Sequence, residues 1–182
     1  MTIDAGPDEL FTTPARASDA EALAALINGA YRGDADRGWT HEAHLVEGAR
    51  TDAARVRALI AAPGSVFLVL RAEAGPSACV LLERRPGGVC YVGLLSVRPA
   101  LQGSGIGREL LAAAERYARA HFEADCIELT VLDRREELLA WYERRGYVPT
   151  GETRPFPDAA MTPGRPLQSD LRLVVMRRTL AA

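Results

Sequence analysis

The chain has 182 residues, 48% hydrophobic and 25% charged, with a formal net charge of −2. These values fit one globular domain spanning 1–182 with a sizeable core, and give no electrostatic ground for nucleic acid or an anionic membrane as partner. All 22 basic residues are arginine, which excludes a lysine nucleophile or Schiff base.

Met1 to Leu10 reads as a loose lead-in. Met1 to Glu9 lacks the basic start and apolar centre of a signal peptide. No apolar run approaches the roughly 18 residues of a membrane span. A cytoplasmic location is expected. Thr12 to Ala17 reads as a first strand. Ser18 or Asp19 then caps a helix, with Glu21 in the capping-box position, and Leu23, Ile27 and Ala30 form its apolar stripe. Gly33 to Gly38 is a polar loop, Thr40 to Glu47 a short helix, and Asp52 to Ala62 another, capped by Thr51 and stopped at Pro63-Gly64.

Three strands follow. Val66 to Ala72 is one, and Cys79 to Glu83 the next, after a turn at Gly75-Pro76. The third follows the hairpin signal Pro86-Gly87-Gly88 and is rich in apolar and β-branched residues from Tyr91 to Val97. Cys79, Cys90 and Cys126 each sit in an apolar run without C-x-x-C spacing or paired histidines. They are expected to be buried thiols in a reducing compartment, and no metal is expected.

Pro99 ends the third strand, and Gly103, Gly105 and Gly107 follow at alternate positions. Ile106, Leu110, Ala114 and Tyr117 then recur at helical spacing, to about His121. Glycines at a helix start let a ligand approach unpaired N–H groups at the positive end of the dipole, which suits a phosphate. A P-loop would need Gly-Lys-Ser/Thr where this chain has Gly107-Arg108-Glu109. A dinucleotide fingerprint would need G-x-G-x-x-G directly after the strand, but Arg98 to Gln102 intervene. A plain strand–turn–helix with packing glycines is the alternative.

Ile127 to Val131 reads as a strand and Arg134 to Arg145 as a helix, with Leu138, Leu139 and Tyr142 on one face and Gly146 as its stop. Tyr147 begins another strand. Arg154 to Ser169 reads as a long loop and Leu171 to Met176 as the last strand.

The run Ser96-Val97-Arg98-Pro99 leading to Gln102-x-x-Gly105-x-Gly107, followed by Trp141-Tyr142-Glu143-Arg144-Arg145-Gly146-Tyr147, resembles the GNAT (GCN5-related) N-acetyltransferase superfamily. The order of elements from Thr12 to Arg178 is similar as well. The resemblance implies an α/β (α+β) fold, with a mixed sheet of about six to seven strands flanked by helices on both faces. It implies acetyl-CoA as cosubstrate, with acetyl transfer to the amine of a small polar acceptor by a monomer or homodimer. A non-catalytic acyl-CoA-binding regulatory domain is the alternative, and a different phosphate-ligand enzyme a further one.

Carried over residue by residue, the resemblance makes Gln102, Gly103, Ser104, Gly105, Ile106, Gly107 and Arg108 the pyrophosphate loop. Leu95, Ser96 and Val97 become the backbone for the pantetheine arm, where the family splays this strand from its neighbour. Tyr142 becomes the proton donor to the leaving sulfur. Arg135 stands where many members carry Asn; it binds a ligand, faces solvent, or pairs with Glu137 or Glu128. On the acceptor side, Arg32, Trp39 and Glu42 lie in a segment dense in glycine, arginine and aromatic residues. Tyr91, on its strand, and Arg154, in the late loop, complete the acceptor candidates. No general base is dictated; Glu83, Tyr91, Glu42 or water are the options.

Overall fold

A computed structural model of the protein describes residues 11–33, 41–158 and 162–181. Trp39 and the lead-in before Phe11 lie outside these residues. The described chain runs β1 (Thr12–Pro14), α1 (Ala20–Arg32), β2 (Val46–Glu47), α2 (Ala53–Ala61), β3 (Ser65–Ala72), β4 (Gly75–Arg85) and β5 (Val89–Val97). It continues with α3 (Ile106–Phe122), β6 (Cys126–Leu132), α4 (Glu136–Glu143), β7 (Val148–Pro155), β8 (Arg165–Pro166) and β9 (Arg172–Thr179).

Seven strands form one sheet in the order β1-β3-β4-β5-β6-β9-β7, and β2 pairs with β8 apart from it. Only β5 and β6 are parallel; the other pairs are antiparallel. This is the mixed sheet expected, but the last strand does not close an edge. β9 inserts between β6 and β7, so β7 is the edge strand and its residues are mostly exposed.

Period-two alternation assigns the two faces. On one face Leu68, Val80, Leu82 and Val92 pack beneath α3 and α4, against Leu110, Leu111, Ala114 and Tyr142. On the other, Phe67, Val69, Cys79, Leu81 and Leu94 pack beneath Leu23, Ile27 and Val56 of α1 and α2. Helices therefore cover both faces, and both sides of β3 and β4 are buried.

Five local expectations are corrected. First, the helical path begins earlier than Ser18, with a 3₁₀ turn at Ala17–Asp19. Asp19 sits third in that turn, so its carboxylate reaches back to the Arg16 N–H at 2.7 Å instead of capping α1. Second, Asp52, not Thr51, caps α2, accepting the Arg55 N–H at 2.8 Å. Third, 41–47 is not a helix. One turn forms, with the Leu45 and Val46 N–H groups both on Glu42 O, before β2 and Gly48 at φ 86 redirect the chain. Fourth, the late loop is interrupted: Arg154 and Pro155 end β7, and Arg165–Pro166 bridges to β2. Fifth, the β3–β4 turn falls at 73–74, which lengthens β4 to begin at Gly75.

Candidate active site

The site begins as a defect in the sheet. Cys79 pairs with Ser96, but Leu81 pairs with Gly93, so Leu94 and Leu95 oppose the single residue Val80. That extra residue is a β-bulge. Leu94 takes φ 49, a strained value for a bulky side chain, and is held there by burial against α1 and by the Ser96 hydroxyl, which donates to Leu94 O at 2.9 Å. β5 and β6 pair only over Val89–Tyr91 and Cys126–Glu128. Beyond Tyr91 the two strands separate. The Arg98 N–H donates to Ser77 O on the β4 side, so alternation turns the Val97 backbone toward the opened side.

The glycine loop closes one end of this opening. Gly103 has φ 81 and Gly105, the N-cap of α3, has φ 92. Both values belong to the left-handed region, which glycine adopts without a Cβ penalty. No side chain caps α3. Its first N–H groups and the positive end of the dipole face outward together. Gly107 differs: its φ is not in the left-handed region, and a Cβ there would make only ordinary contact, 3.8 Å from Trp141 and Val97.

α4 supplies the adjoining wall. Leu138, Trp141 and Tyr142 face a cleft of about 360 Å³ that also takes in Gln102, Gly103, Gly105, Gly107, Arg108 and Arg135. Tyr142 is 7% exposed and is fixed by edge-to-face contacts with Trp141 and Tyr147, at 4.9 and 5.5 Å between ring centroids. Burial pushes its hydroxyl above the ordinary tyrosine range. Among the described residues that hydroxyl has no hydrogen-bond partner. Arg145 stacks 3.6 Å over the Trp141 ring, an i, i+4 pair, and donates to Trp141 O at 2.6 Å. Burial first, then the neighbouring charges of Arg144 and Arg108, lower the Arg145 pKa. Three arginines thus meet at the mouth of the cleft beside the glycine loop.

At the other end, side chains from three segments converge on one carboxylate. Glu42 is 5% exposed. Its Oε1 takes Arg32, at the end of α1, and faces Arg50 at 4.0 Å; its Oε2 takes Arg135 at 3.3 Å. Arg135 is equally buried and also lies 3.6 Å from the exposed Glu137. Arg32 Nε anchors to Gly48 O at 2.8 Å, and Asn28 Oδ1 accepts the Arg50 and Thr51 N–H groups. Arg50 lies over the Tyr31 ring, which lines the cleft. Burial first, with the opposing effect of Arg50 second, leaves the Tyr31 pKa at about 12.

Not every candidate side chain reaches the cleft. Leu95, Val97, Gln102, Gly103, Gly105, Gly107, Arg108, Arg135 and Tyr142 line it. Ser96 is buried behind it, tying the bulge. The Ser104 hydroxyl donates back to Leu101 O at 2.6 Å, and Ile106 packs into the core under α3. Gln102 donates to Val97 O at 3.2 Å, bracing the loop against β5. Tyr91 lies on the α1 face, its hydroxyl 3.0 Å from Thr130 Oγ1 and its ring under Arg85. Arg154 binds Glu128 at 3.0 Å and Glu152 at 2.8 Å and does not line the cleft. Arg135 pairs with Glu42 and Glu137, and Glu128 pairs with Arg154 and Arg177 instead. Tyr31, Arg144 and Arg145 also line the cleft; Tyr31 lies in the segment dense in glycine, arginine and aromatic residues and both arginines in the Trp141–Tyr147 run, but none is singled out there as a site residue. The Trp141-x-x-x-Arg145 spacing is a further signal for Arg145.

Cys79 and Cys90 are pushed up to about 12 by burial, so neither is a thiolate at neutral pH. No described helix is long and apolar enough to cross a membrane.

Known proteins place this architecture. The ribosomal-protein-alanine N-acetyltransferase of Brucella melitensis aligns over 94% of this chain and 100% of its own, at 20% identity and TM-score 0.69. The yncA protein of Salmonella typhimurium, solved with its cofactor acetyl-CoA, aligns over 96% of each chain at 18% identity and TM-score 0.68. A nourseothricin acetyltransferase aligns over 65% of this chain and 67% of its own, at 19% identity and TM-score 0.55. These similarities concern the fold. No curated protein sequence matches the chain. The model of the acetyltransferase (GNAT) family matches residues 22–147, which include the bulge, the glycine loop and the Tyr142 helix. The chain belongs to the GNAT acetyltransferase family and uses acetyl-CoA.

Proposed function

We propose that the protein is an N-acetyltransferase acting on the amine of a small polar acceptor, with Tyr142 as proton donor. The observation that carries this reading is the Tyr142 hydroxyl: borne on a side chain only 7% exposed, kept protonated, lining the cleft and without a described partner.

The cleft fits the cosubstrate on structural grounds. A capless helix start with two left-handed glycines suits a pyrophosphate, and the positive charges of Arg144 and Arg108, the latter also paired with Glu109 at 2.8 Å, act on Arg145 beside it. The bulge at Leu94 and Leu95 and the alternation beyond it turn the Val97 backbone toward the opening for the pantetheine arm. Acetyl-CoA, when bound, supplies the acetyl group as a thioester. Backbone N–H groups on the opened side of β5 donate to the carbonyl oxygen as it gains negative charge. Tyr142 gives its proton to the departing sulfur.

No carboxylate or imidazole lines the cleft among the described residues. The ionisable groups there are tyrosines and arginines. Positive neighbours disfavour a protonated amine. The site therefore favours the neutral amine, whose proton leaves through water.

The test is thermal shift with acetyl-CoA, CoA, ATP and NAD, followed by thiol release over an amine panel. Stabilisation by acetyl-CoA and CoA alone, with amine-dependent thiol release, is expected. Binding without turnover on any amine would leave a regulatory acyl-CoA-binding domain.

A further inference from the structure

Two tyrosines meet the cleft from opposite faces of the sheet. Tyr142 belongs to the core beneath α3 and α4, and Tyr31, in the last turn of α1, packs on the core of the other face. Both line one cleft, at the side where β5 and β6 part beyond Tyr91. After burial, Tyr31 is the strongest influence keeping the Tyr142 hydroxyl protonated, so the two are neighbours. Among the described residues the Tyr31 hydroxyl, like that of Tyr142, has no hydrogen-bond partner. Its ring is nonetheless held: Arg50 lies 5.3 Å from the ring centroid, and Tyr31 O accepts the Glu42 N–H at 3.0 Å. Tyr91, on the same face, is already committed to Thr130 Oγ1 at 3.0 Å and does not line the cleft.

A cosubstrate held at the glycine loop reaches the opening from the α3 face, because that loop starts α3. The α1 face is left to the acceptor, and α1 gives the cleft only Ala30 and Tyr31. A neutral amine must aim its lone pair at the thioester carbon, which an acceptor for one of its N–H groups would fix. Arginine and tryptophan side chains only donate. Among the described residues lining the cleft, the side-chain acceptors are the hydroxyls of Tyr31 and Tyr142 and the carboxamide of Gln102. Gln102 braces the glycine loop against Val97 O, and Tyr142 serves the leaving sulfur. Tyr31 remains for the amine.

Resting on the acetyltransferase reading above, we infer that Tyr31 is a second catalytic tyrosine, whose hydroxyl oxygen accepts an N–H of the incoming amine and turns the nitrogen lone pair toward the thioester carbon. The nitrogen pair forms the C–N bond as the C–S pair leaves on sulfur. Tyr142 protonates that sulfur, and the proton shed by nitrogen passes to water, which restores Tyr142. Tyr31 keeps its own proton: burial, against the opposing effect of Arg50, leaves its pKa at about 12, so it is not the base. Its hydrogen bond strengthens as the nitrogen becomes positive.

The test is single-turnover acetyl transfer by Tyr31→Phe at saturating acetyl-CoA, over an amine panel that includes hydroxylamine as the smallest nucleophile. Phenylalanine keeps the ring under Arg50 and removes only the oxygen. With each amine that the wild type acetylates, the rate should fall about 10–100-fold, the loss of one hydrogen bond to a charged group. Acetyl-CoA and CoA affinities should both stay within about twofold of wild type, and the pH–rate profile should keep its shape. A rate loss under about threefold would overturn the inference. So would weakening of acetyl-CoA relative to CoA, which would put the hydroxyl on the acetyl carbonyl, or a changed pH profile, which would make Tyr31 a proton carrier. Should Tyr31→Phe melt lower, the split between rate and affinity, read below its transition, still decides. A wild type idle with every amine strikes the transferase reading and this inference together. An active wild type with an undiminished Tyr31→Phe strikes this inference alone.

Discussion

The two ends of the cleft are made of different material. The cosubstrate end is backbone: a bulge at Leu94 and Leu95, two left-handed glycines, and a helix start with no side-chain cap. All of it lies between residues 94 and 108. The opposite end is side chain: Arg135 lines it, and Arg32, Glu42 and Arg50, from a segment about a hundred residues away, meet behind it. A backbone cradle recognises phosphate through N–H groups that every residue except proline owns, so a few glycines set it. A side-chain receptor is specified by which charges meet, and each partner can change independently. In the proposed reaction, one end can therefore serve a common cosubstrate while the other varies with the acceptor.

That contrast is open to breakage, and Tyr142, between the two ends, gives the largest effect. Tyr142→Phe keeps the ring in its contacts with Trp141 and Tyr147 and removes only the proton donor. Single-turnover acetyl transfer should fall about 10²–10⁴-fold, or about 3–5 kcal/mol of barrier, with acetyl-CoA affinity nearly unchanged. The pH profile adds a check. With its pKa raised, Tyr142 remains protonated as pH climbs through the ordinary tyrosine range, so it contributes no alkaline loss of rate below that range. A loss under about threefold in Tyr142→Phe would make the tyrosine structural and leave the thiolate to water.

Glu42→Gln breaks the acceptor end. It leaves three guanidiniums without their shared buried counter-charge and should destabilise the fold by about 3 kcal/mol. Melting temperature should drop by about 6–12 °C. An unchanged melting temperature would mean that the cluster is solvated.

Gly105→Val tests the backbone end. At φ 92 a β-branched residue is strained by roughly 1–3 kcal/mol; the free loop should relax away from that conformation, and restoring it on binding should appear as about 10–100-fold weaker acetyl-CoA binding by calorimetry. Gln102→Ala, which removes a side chain bonded to Val97 O, should cost about 1 kcal/mol or less. If the alanine variant proved the more damaging, the cradle would be a side-chain site after all.

The smallest effect lies away from the cleft. Asp19 is held below its ordinary pKa by two hydrogen bonds from Arg71, against the opposing effect of burial. A depressed carboxylate stabilises the fold above the unfolded-state pKa, and that contribution is lost as pH falls through the folded-state value. Asp19→Asn should cost about 1 kcal/mol or less at neutral pH, and the difference from wild type should shrink in acid. Melting curves at neutral pH and at about pH 3 measure it.

Much of the cosubstrate end is legible in the sequence. Three alternate glycines between an apolar strand and an amphipathic helix mark a tight turn onto unpaired N–H groups, because only glycine takes positive φ without strain. The Leu138, Leu139 and Tyr142 spacing places the tyrosine on an apolar face. The acceptor end is legible only as composition. Arg32 and Glu42 stand among the candidates, yet their pairing does not follow from spacing, and by spacing Arg135 could equally face Glu128. Arg154 shows the opposite failure: a candidate wall residue that Glu128 and Glu152 hold away from the cleft.

What the sequence determined by itself is everything that depends on near neighbours along the chain: strand alternation, helical stripes, proline stops, and the glycine turn with its phosphate chemistry. Those follow from backbone sterics and short-range periodicity, which operate over a few residues. What the tertiary structure alone decided is which distant charges meet. It inserted β9 between β6 and β7, turned 42–47 into a single turn and a short strand, and seated Glu42 beneath Arg32, Arg50 and Arg135. A carboxylate carries no local preference for one arginine among 22. The choice is made by the bulge that opens the sheet and by the packing of α1 and α4 around the opening.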